Sequence, residues 1–509
     1  MQGIFYWIDK RAQITPNRVA LIGERTRMTY EKMADAIRGI SNQLSQTYGI
    51  KTADRVAILS GNSIDYLLLL FAIAKIGAIA VPLNIRLTKN EWSYQIKDSQ
   101  TSTLIMTKDF KEISEELQDD QLINLLISLE DLVENANANT NTKPFDANSH
   151  LTIVDEGDVD SSFPFLIIYT SGTTGRPKGA VLTQENMYWN SIHNILAIDI
   201  RAEDKVITIL PLFHIGGIGL FALPALLAGG TVLVPDRFDP DQTLDWIEKE
   251  KITIVMGVPT IFDAIRKSSR FALTDFSSIR WFYSGGAPCP HELIEHYLEK
   301  GIPFGQGFGM SETSPTVFML SKEDYKHRIG SIGKPVMFTD VRIVNNQDQD
   351  VMNGEVGEMI FRGPNIFKEY WNLPEQTAAS FKNGWFYSGD LAKQDEEGFY
   401  YIAGRKKEMI ISGGENVYPL EVEQTIQELA EVAEVAVIGV KDEKWGEVPK
   451  AILSLRAGSQ LMPEVIYDYC LGKLAKYKCP KTFEFIQELP KNATGKIDKA
   501  QLKRIYNTD

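Results

Sequence analysis

Residues 167–179 read Ile-Ile-Tyr-Thr-Ser-Gly-Thr-Thr-Gly-Arg-Pro-Lys-Gly. The apolar run at residues 163–169, which overlaps the start of this stretch, predicts a buried strand. A polar loop follows, and after it Thr183 can cap a helix whose first turn contains Glu185. A strand, a Gly-rich polar loop and a helix in this order predict a place to hold phosphate.

The residue types of the loop suit phosphate binding. Gly172 and Gly175 let the backbone approach a ligand closely. The side chains that can bind phosphate oxygens are Thr170, Ser171, Thr173, Thr174 and Lys178. The loop is not a Walker A motif, because Pro177 precedes the lysine and Gly179 follows it. An ordinary Gly-rich turn is the alternative interpretation.

Length and composition limit the class of protein. A chain of 509 residues is too long for one hydrophobic core and predicts two or more domains. The net charge of −14 argues against nucleic acid as a partner, since phosphate backbones need clustered Lys and Arg. Cys289, Cys470 and Cys479 cannot all pair and lack zinc-site spacing, so a reducing, cytoplasmic location is expected.

One uncharged stretch, residues 206–235, is long enough to suggest a membrane span. It contains three prolines, a histidine and five glycines, and no basic flank sets an orientation. We therefore interpret it as a buried strand, a loop, a buried helix and a strand. The N-terminus lacks the basic start and long apolar middle of a signal peptide.

Helix-like and strand-like segments alternate over the first 400 residues and predict an α/β fold. Examples are a strand at 55–59, a helix at 64–75 and a strand at 78–82. The Asn-rich segment 135–142 is interpreted as a solvated surface loop. A charged connector after Gly404 predicts two domains, 1–404 with several α/β layers and a small α/β domain, 405–509.

The stretch 167–179 resembles the phosphate loop of the adenylate-forming enzymes, which include acyl-CoA synthetases, firefly-type luciferases and peptide-synthetase adenylation domains. Blocks at 211–217, 283–288, 306–313 and 385–390 extend this resemblance over nearly the whole chain. It implies that Phe308 stacks on adenine, that Asp390 and Arg405 bind ribose, and that Lys496 reaches the site during adenylation. The implied ATP and AMP site comprises Thr170, Ser171, Gly172, Thr173, Thr174, Gly175, Lys178, Gly285, Gly286, Ala287, Phe308, Gly309, Thr313, Asp390, Arg405 and Lys496.

The same resemblance implies roles for further residues. Glu312 and Thr173 would hold Mg²⁺, for which a carboxylate oxygen is a suitable ligand. Catalysis would depend on Lys496, Thr173, Lys178 and Glu312, and Thr313 would contact the α-phosphate. The acyl pocket would include His214, Gly216 and Ser284, the CoA tunnel Gly413 and Gly414, and the hinge of a mobile C-terminal domain Lys407.

The implied activity is that of an AMP-forming acid–thiol ligase that uses ATP, Mg²⁺ and CoA. The chain looks most like bacterial fatty acyl-CoA ligases, partly through residues 337–340, 368–371 and 442–446. Glycines at 216, 217 and 219 could leave an open tunnel for a medium- or long-chain fatty acid. An aryl- or o-succinylbenzoate-CoA ligase and an enzyme that loads an acyl-carrier protein are the alternatives. A homodimer is possible. A lipid substrate would make peripheral membrane contact possible, although the acidic chain offers no basic anchor.

Overall fold

The structure, a computed structural model, describes residues 2–140, 160–170, 176–492 and 495–507, without the side chains of Asn137, Asn139 and Thr140. The chain divides into two compact units. The first comprises Met1–Ile329, Gly333–Asp340 and Arg362–Gly384, and the second Gly330–Ile332, Val341–Phe361 and Trp385–Asp509. The predicted α/β class, with a large N-terminal and a smaller C-terminal domain, is confirmed. A domain boundary between residues 404 and 405 stays a prediction.

The strands are β1 (Val19–Ile22), β2 (Arg27–Thr29), β3 (Arg55–Leu59), β4 (Ile79–Pro82), β5 (Thr103–Met106), β6 (Leu125–Ser128), β7 (Pro164–Thr170), β8 (Lys178–Thr183), β9 (Lys205–Thr208), β10 (Thr231–Leu233), β11 (Ile254–Gly257), β12 (Trp281–Ser284), β13 (Phe304–Phe308), β14 (Phe318–Met319), β15 (Lys334–Pro335), β16 (Asp340–Val344), β17 (Gly357–Arg362), β18 (Glu369–Tyr370), β19 (Phe381–Lys382), β20 (Trp385–Gln394), β21 (Tyr400–Arg405), β22 (Ile410–Ser412), β23 (Glu415–Val417), β24 (Val432–Asp442), β25 (Gly446–Leu455) and β26 (Thr482–Phe485).

The α-helices are α1 (Phe5–Ile14), α2 (Tyr30–Asn42), α3 (Ile64–Lys75), α4 (Lys89–Ser99), α5 (Lys111–Asp119), α6 (Leu129–Thr140), α7 (Gln184–Ile198), α8 (Ile215–Gly219), α9 (Ala222–Ala228), α10 (Pro240–Glu250), α11 (Pro259–Lys267), α12 (His291–Glu299), α13 (Pro374–Ser380), α14 (Pro419–Gln427), α15 (Pro463–Lys473) and α16 (Lys499–Tyr506). Short 3₁₀ turns at Ser311–Thr313 and Lys406–Glu408 carry predicted site residues. Within the described residues, no helix is long and apolar enough to cross a membrane.

Two sheets organise the first unit. Over the part of the chain that the structure describes, one sheet has the order β18-β8-β7-β4-β3-β5-β6 and the other β15-β14-β13-β12-β11-β9-β10-β1-β2. Their central strands are parallel, as in the β3 pairs with β4 and β5 and the β9 pairs with β10 and β11. Parallel pairing requires crossover connections, which accounts for the alternation of helices and strands along the sequence.

The second unit contains two smaller sheets. In one, β16, β17, β20 and β21 are successive neighbours, and the β20–β21 pair is antiparallel. In the other, the long antiparallel pair β24–β25 is extended by β22 and β23 on one side and by β26 in parallel. Fully buried Val437, Ala451 and Leu453 pack with α14 and α15 in the core of this second sheet.

Several local predictions are confirmed. The strand at 55–59, the helix at 64–75 and the strand that ends at Pro82 all form, and Ser63 caps α3 by accepting a hydrogen bond from the Tyr66 N–H. Residues 206–235 form strands β9 and β10 with the short helices α8 and α9 between them, as expected. Pro419 occupies the first turn of α14.

The interpretation of 135–142 as a loop is wrong up to residue 140, because α6 continues to Thr140. Leu129, Leu132 and Ala136 are buried, and their spacing places them on one face of the helix. Packing of this apolar face outweighs the weak helix propensity of asparagine. Residues 141 and 142 lie outside the described part of the chain.

A buried histidine in the first unit gives the fold a pH dependence. His193 on α7 is fully buried and stacks on Phe338, with ring centroids 6.2 Å apart. Among the described residues, neither of its ring nitrogens has a hydrogen-bond partner. Burial lowers the pKa of His193 to about 4.

We expect acid to destabilise the protein through this residue. The unfolded chain gains the proton near pH 6.5 and the folded chain only near pH 4, so the free energy of unfolding should fall by about 3 kcal/mol across that window. Melting temperatures between pH 7 and 4 should therefore decrease less for His193→Phe than for the wild type. The exposed His327 provides a control, His327→Gln, and an unchanged pH dependence in His193→Phe would contradict the assignment.

Candidate active site

The predicted phosphate loop joins two strands of one hairpin. β7 and β8 are antiparallel, and Thr170 is the register partner of Lys178. The predicted strand–loop–helix order is therefore corrected, because β8 lies between the loop and α7 and its apolar residues pair with β7. The predicted cap is confirmed, since the Thr183 side chain accepts a hydrogen bond from the Asn186 N–H. Ser171, Gly172, Thr173, Thr174 and Gly175 lie outside the described residues.

Glu312 lies on the 3₁₀ turn Ser311–Thr313 and is almost fully buried. Its Oε1 accepts a hydrogen bond of 2.9 Å from the hydroxyl of Tyr370. Its backbone carbonyl accepts from the N–H of Phe367 at 2.8 Å. The ammonium of Lys178 lies 5.1 Å from the centre of the Tyr370 ring. The structure thus brings together two predicted site residues, Glu312 and Lys178, around a tyrosine that the sequence did not single out.

The hydroxyl of Thr313 makes its hydrogen bonds to backbone groups of its own turn. Thr313 is fully buried, and its Oγ1 donates to the carbonyl of Pro315 at 2.8 Å and accepts from the N–H of Met310 at 3.0 Å. Asn365 braces the same turn by donating to the carbonyls of Thr313 and Thr316. A phosphate contact by Thr313 stays a prediction, and Ser311, which is 8% exposed, is the neighbouring hydroxyl on this turn.

The predicted adenine-binding turn follows β12. Gly286 has a φ of +80°, a conformation that favours glycine, and Gly286 and Ala287 are both exposed. At Gly285 a Cβ atom would lie 3.0 Å from Cε of Met256. Gly309 has no room for a side chain either, because a Cβ atom there would lie 1.5 Å from the carbonyl oxygen of Pro315.

The aromatic ring predicted to stack on adenine lies at the end of β13. Phe308 is partly exposed and packs against Phe318 with a centroid distance of 6.1 Å. Its register partner on the neighbouring antiparallel strand is also Phe318. The pairing of the two strands therefore supports the ring from one side.

Gly216, one of the residues predicted to form the acyl pocket, lines a small cavity of about 10 Å³. It is lined by residues of β9, the following loop, α8, α9 and β11: Val206, Ile207, Thr208, Ile209, Leu210, Gly216, Gly217, Phe221, Ala222 and Met256. His214 and Ser284 are not part of this lining. His214 is exposed at the N-terminus of α8, where its Nδ1 accepts a hydrogen bond from the Gly216 N–H.

Two of the three glycines after His214 lie against other backbone or side-chain atoms, and an open tunnel at these glycines stays a prediction. A Cβ atom at Gly217 would lie 2.2 Å from the carbonyl oxygen of Pro211. One at Gly219 would lie 2.8 Å from Cδ of Pro315. These glycines allow close backbone packing, and a cavity of this size holds about one water molecule.

In the second unit, Asp390 and Arg405 are register partners on β20 and β21. Asp390 is buried, and its Oδ1 lies 2.7 Å from Nε of Arg405. The N–H of Lys496 donates to Oδ1 of Asn492 at 3.1 Å. Asp390 and Arg405 both act electrostatically on Lys496, so the two residues predicted to bind ribose and the predicted catalytic lysine form one electrostatic group.

The environment of Lys496 lowers the pKa of its ammonium group. Desolvation is the larger cause, Arg405 adds to the decrease and Asp390 opposes it. Lys496 as a whole residue is exposed.

The predicted CoA turn and hinge also lie in the second unit. Gly413 and Gly414 join β22 to β23 with φ values of +61° and +88°. A Cβ atom at Gly413 would lie 2.5 Å from the Trp445 ring, which explains the need for glycine. Lys407 is exposed in the centre of the turn Lys406–Glu408.

Ion pairs hold both neighbours of Lys407. Lys406 lies 2.7 Å from Glu358 on β17. Glu408 lies 3.2 Å from Lys499, which also contacts Glu423 at 2.7 Å. A rotation of the backbone between these two anchored residues would therefore be concentrated at Lys407.

The residues around Glu312 fit a magnesium ion shared with a nucleotide. Among the described residues, no group of three or more His, Cys, Asp or Glu side chains could hold a metal by itself. Mg²⁺ in nucleotide sites is commonly held by one or two carboxylates together with phosphate oxygens. Tyr370 engages one oxygen of Glu312, which gives the buried carboxylate a fixed orientation for such a role.

Comparison with known proteins identifies the family of this chain. Models of the AMP-binding enzyme family and of its C-terminal domain match residues 8–371 and 421–496. A feruloyl-CoA synthase from an Amycolatopsis species is 39% identical over 505 residues, or 99% of each chain. A long-chain-fatty-acid–CoA ligase from Mycobacterium tuberculosis is 36% identical over 513 residues, covering 100% of this chain and 99% of its own.

The solved structures include o-succinylbenzoate-CoA synthetase from Bacillus subtilis in complex with ATP and a magnesium ion. It has a TM-score of 0.86 and 33% identity, covering 98% of this chain and 99% of its own. The chain described here therefore belongs to the AMP-binding enzyme family. It is an AMP-forming acyl-CoA ligase, as its full-length relatives indicate.

Proposed function

We propose that this ligase uses ATP, Mg²⁺ and CoA to convert an aryl-substituted monocarboxylic acid to its CoA thioester. The observation that carries the proposal is the lining of the small cavity, which is apolar apart from Thr208 and contains no charged side chain. A second carboxylate would be costly to bury in such a site. The lining therefore favours an acid with one carboxylate and an apolar remainder.

An aromatic remainder is supported by two further observations. Phe221 lines the cavity and meets the ring of Tyr283 edge to face at 5.8 Å, so aromatic groups are present beside the site. The feruloyl-CoA synthase relative has a higher identity to this chain than the fatty-acid ligase relative. A medium- or long-chain fatty acid, the substrate expected from the sequence, is the second candidate. The long-chain-fatty-acid–CoA ligase relative favours it.

In the proposed first half-reaction, the carboxylate of the acid attacks the α-phosphorus of ATP, and pyrophosphate leaves with its electron pair. Negative charge increases at the transferring phosphoryl group. Lys178 and Lys496 would supply positive charge there, and Glu312 would hold the magnesium ion. Bound Mg²⁺ would supply Lewis acidity and charge neutralisation at the phosphate oxygens. Asp390 and Arg405 would hold the ribose.

In the second half-reaction, the CoA thiol loses its proton and attacks the acyl carbonyl, and AMP leaves. Lys496 and the turn at Gly413–Gly414 belong to the same C-terminal segment, yet each is needed in a different step. We propose that this domain rotates about Lys407 between the two steps. The glycine turn would then give the pantetheine arm of CoA a passage free of side chains.

The proposal is tested by CoA-dependent AMP release with ATP and Mg²⁺ across aryl-propenoic, aryl-acetic, fatty and dicarboxylic acids. The highest kcat/KM for an aryl monocarboxylic acid would support the proposal. A maximum at fatty acids would keep the reaction and establish the second candidate instead. Adenylate formation without an acyl-CoA product when CoA is added, together with acyl transfer to a phosphopantetheinyl carrier protein, would contradict the proposed thioester product.

Met256 is expected to limit the size of the acid. Its side chain lines the cavity and lies beside Gly285, so Met256→Ala should enlarge the site at its flexible side. We expect the ratio of kcat/KM for a bulky acid over a small one to rise by about 10-fold, in the range typical of one or two methylene groups. Steady-state kinetics with a homologous series of acids measures this ratio, and Met319→Ala is a control outside the cavity lining. A ratio unchanged in Met256→Ala would show that Met256 does not limit the site.

A further inference from the structure

Tyr370 contacts both charged groups that the phosphate site needs. Its hydroxyl donates to Oε1 of Glu312 at 2.9 Å, and the ammonium of Lys178 lies 5.1 Å from its ring centre. The second distance is within the range of a cation–π contact. One side chain therefore touches the predicted ligand of Mg²⁺ through its polar end and the predicted ligand of phosphate through its ring.

The backbone around Tyr370 fixes this arrangement from both sides. β18 pairs with β8, the strand that begins at Lys178, with Tyr370 opposite Ala180. The N–H of Trp371 donates to the carbonyl of Gly179 at 2.7 Å. The N–H of Phe367 donates to the carbonyl of Glu312 at 2.8 Å. The short segment 367–371 thus ties the strand of Lys178 to the turn of Glu312.

The ring of Tyr370 has little freedom to move. Tyr370 is 8% exposed, and its ring packs against Phe367 with a centroid distance of 4.7 Å. A buried hydroxyl that donates to a carboxylate forms a charge-assisted hydrogen bond, which is stronger than a neutral one. The Glu312 carboxylate is therefore held in one orientation before any ligand binds.

We propose that Tyr370 is a positioning residue that orients Glu312 toward Mg²⁺ and Lys178 toward the nucleotide phosphates. This inference rests on the proposed function, since it takes Glu312 as the metal ligand and Lys178 as a phosphate ligand. The hydroxyl engages one carboxylate oxygen and fixes the direction of the other. The ring face contacts the ammonium of Lys178.

The hydroxyl and the ring make separate contributions that two variants can resolve. Tyr370→Phe keeps the ring against Lys178 and removes only the hydrogen bond to Glu312. We expect the apparent Mg²⁺ constant for adenylate formation to rise by about 10- to 100-fold, as is usual when a partner of a metal ligand is lost. The KM for the acid should stay near the wild-type value. Tyr370→Leu removes both contacts and should also raise the KM for ATP at saturating Mg²⁺.

Ligand binding without turnover provides a second measurement. The melting temperature in the presence of ATP and increasing Mg²⁺, without acid, measures Mg²⁺ binding when no reaction can occur. The half-saturating Mg²⁺ concentration should move upward in Tyr370→Phe by the same factor as in the kinetic assay. Tyr297→Phe is the matched control, because it also removes one buried hydroxyl, which donates at 2.7 Å to the carbonyl of Phe262.

The outcomes distinguish failure of this inference from failure of the proposed function. A Tyr370→Phe variant with wild-type Mg²⁺ dependence in both measurements would overturn the positioning role. An equal shift in Tyr297→Phe would also overturn it, because the effect would then be a general loss of stability. If the wild type forms no adenylate with any acid, the proposed function fails, whereas the thermal-shift comparison still tests Tyr370.

Discussion

Lys496→Ala is expected to slow acyl-adenylate formation by about 100- to 1,000-fold, the usual effect of removing one group that stabilises charge in the transition state. Lys496 lies close to Asp390 and Arg405, the pair predicted to hold the ribose, so its ammonium can approach the α-phosphate. Thioester formation from supplied acyl-adenylate should remain within a few-fold of wild type. Pyrophosphate release and single-turnover thioester formation measure the two steps separately.

Lys491→Ala is the matched control for this variant. Lys491 belongs to the same closing segment and pairs with Glu434 at 2.9 Å, so its loss removes an equal charge away from Asp390. Because the pKa of Lys496 is lowered, adenylation by the wild type should also decline at a lower pH than an ordinary lysine would give. Equal losses in the two half-reactions of Lys496→Ala would exclude its assignment to adenylation.

Lys407→Pro is expected to reduce overall thioester formation by at least about 10-fold while adenylation changes much less. Proline fixes φ at its own position and restricts the residue before it, so backbone rotation at the proposed hinge would be limited. The ion pairs of Lys406 and Glu408 hold the neighbouring residues and leave few alternative points of rotation. Separate rates for adenylate formation and for CoA attack test this expectation.

Lys407→Ala separates the effect of the backbone from that of the side chain. It removes the same charge but leaves φ and ψ free, so it should keep both half-reactions near the wild-type rates. If Lys407→Pro also kept both rates, the rotation would occur elsewhere in the chain. If Lys407→Ala lost as much activity as Lys407→Pro, the charge rather than the backbone would be important.

The sequence predicts the fold class and several local elements, because these depend on the periodicity and type of neighbouring residues. The α/β class follows from alternating periodicity, and the helix cap at Thr183 follows from residue type and spacing. β8 is not predicted, because only three of its six residues, 180–182, are apolar, and so short a run is recognised as a strand only through its pairing with β7. The extent of α6 depends on burial of Leu132 and Ala136, which outweighs the Asn-rich composition.

The sequence predicts those site residues whose function depends on residue type within a motif. It does not predict residues whose function depends on contacts between distant parts of the chain. Glu312 and Lys178 are recognisable from their motifs, but Tyr370 is more than 50 positions from the first and more than 190 from the second along the chain. The pairing of β18 with β8 brings Tyr370 to Lys178, and the hydrogen bond from Phe367 to the Glu312 carbonyl brings it to Glu312. The size of the acyl cavity depends on how Phe221 and Met256 pack, which no local pattern in the sequence determines.

The hairpin that joins Asp390 to Arg405 has a consequence for the order of events in the reaction. Both residues precede Lys407 in the chain, and their strands are paired directly to each other. A rotation that begins at Lys407 would leave this pair intact, whereas Lys496 and the glycine turn, which follow it, would move. The nucleoside end of the reaction intermediate could then stay attached to one unchanged surface while its other end meets two successive reagents, so the reactive intermediate would not need to be released into solvent.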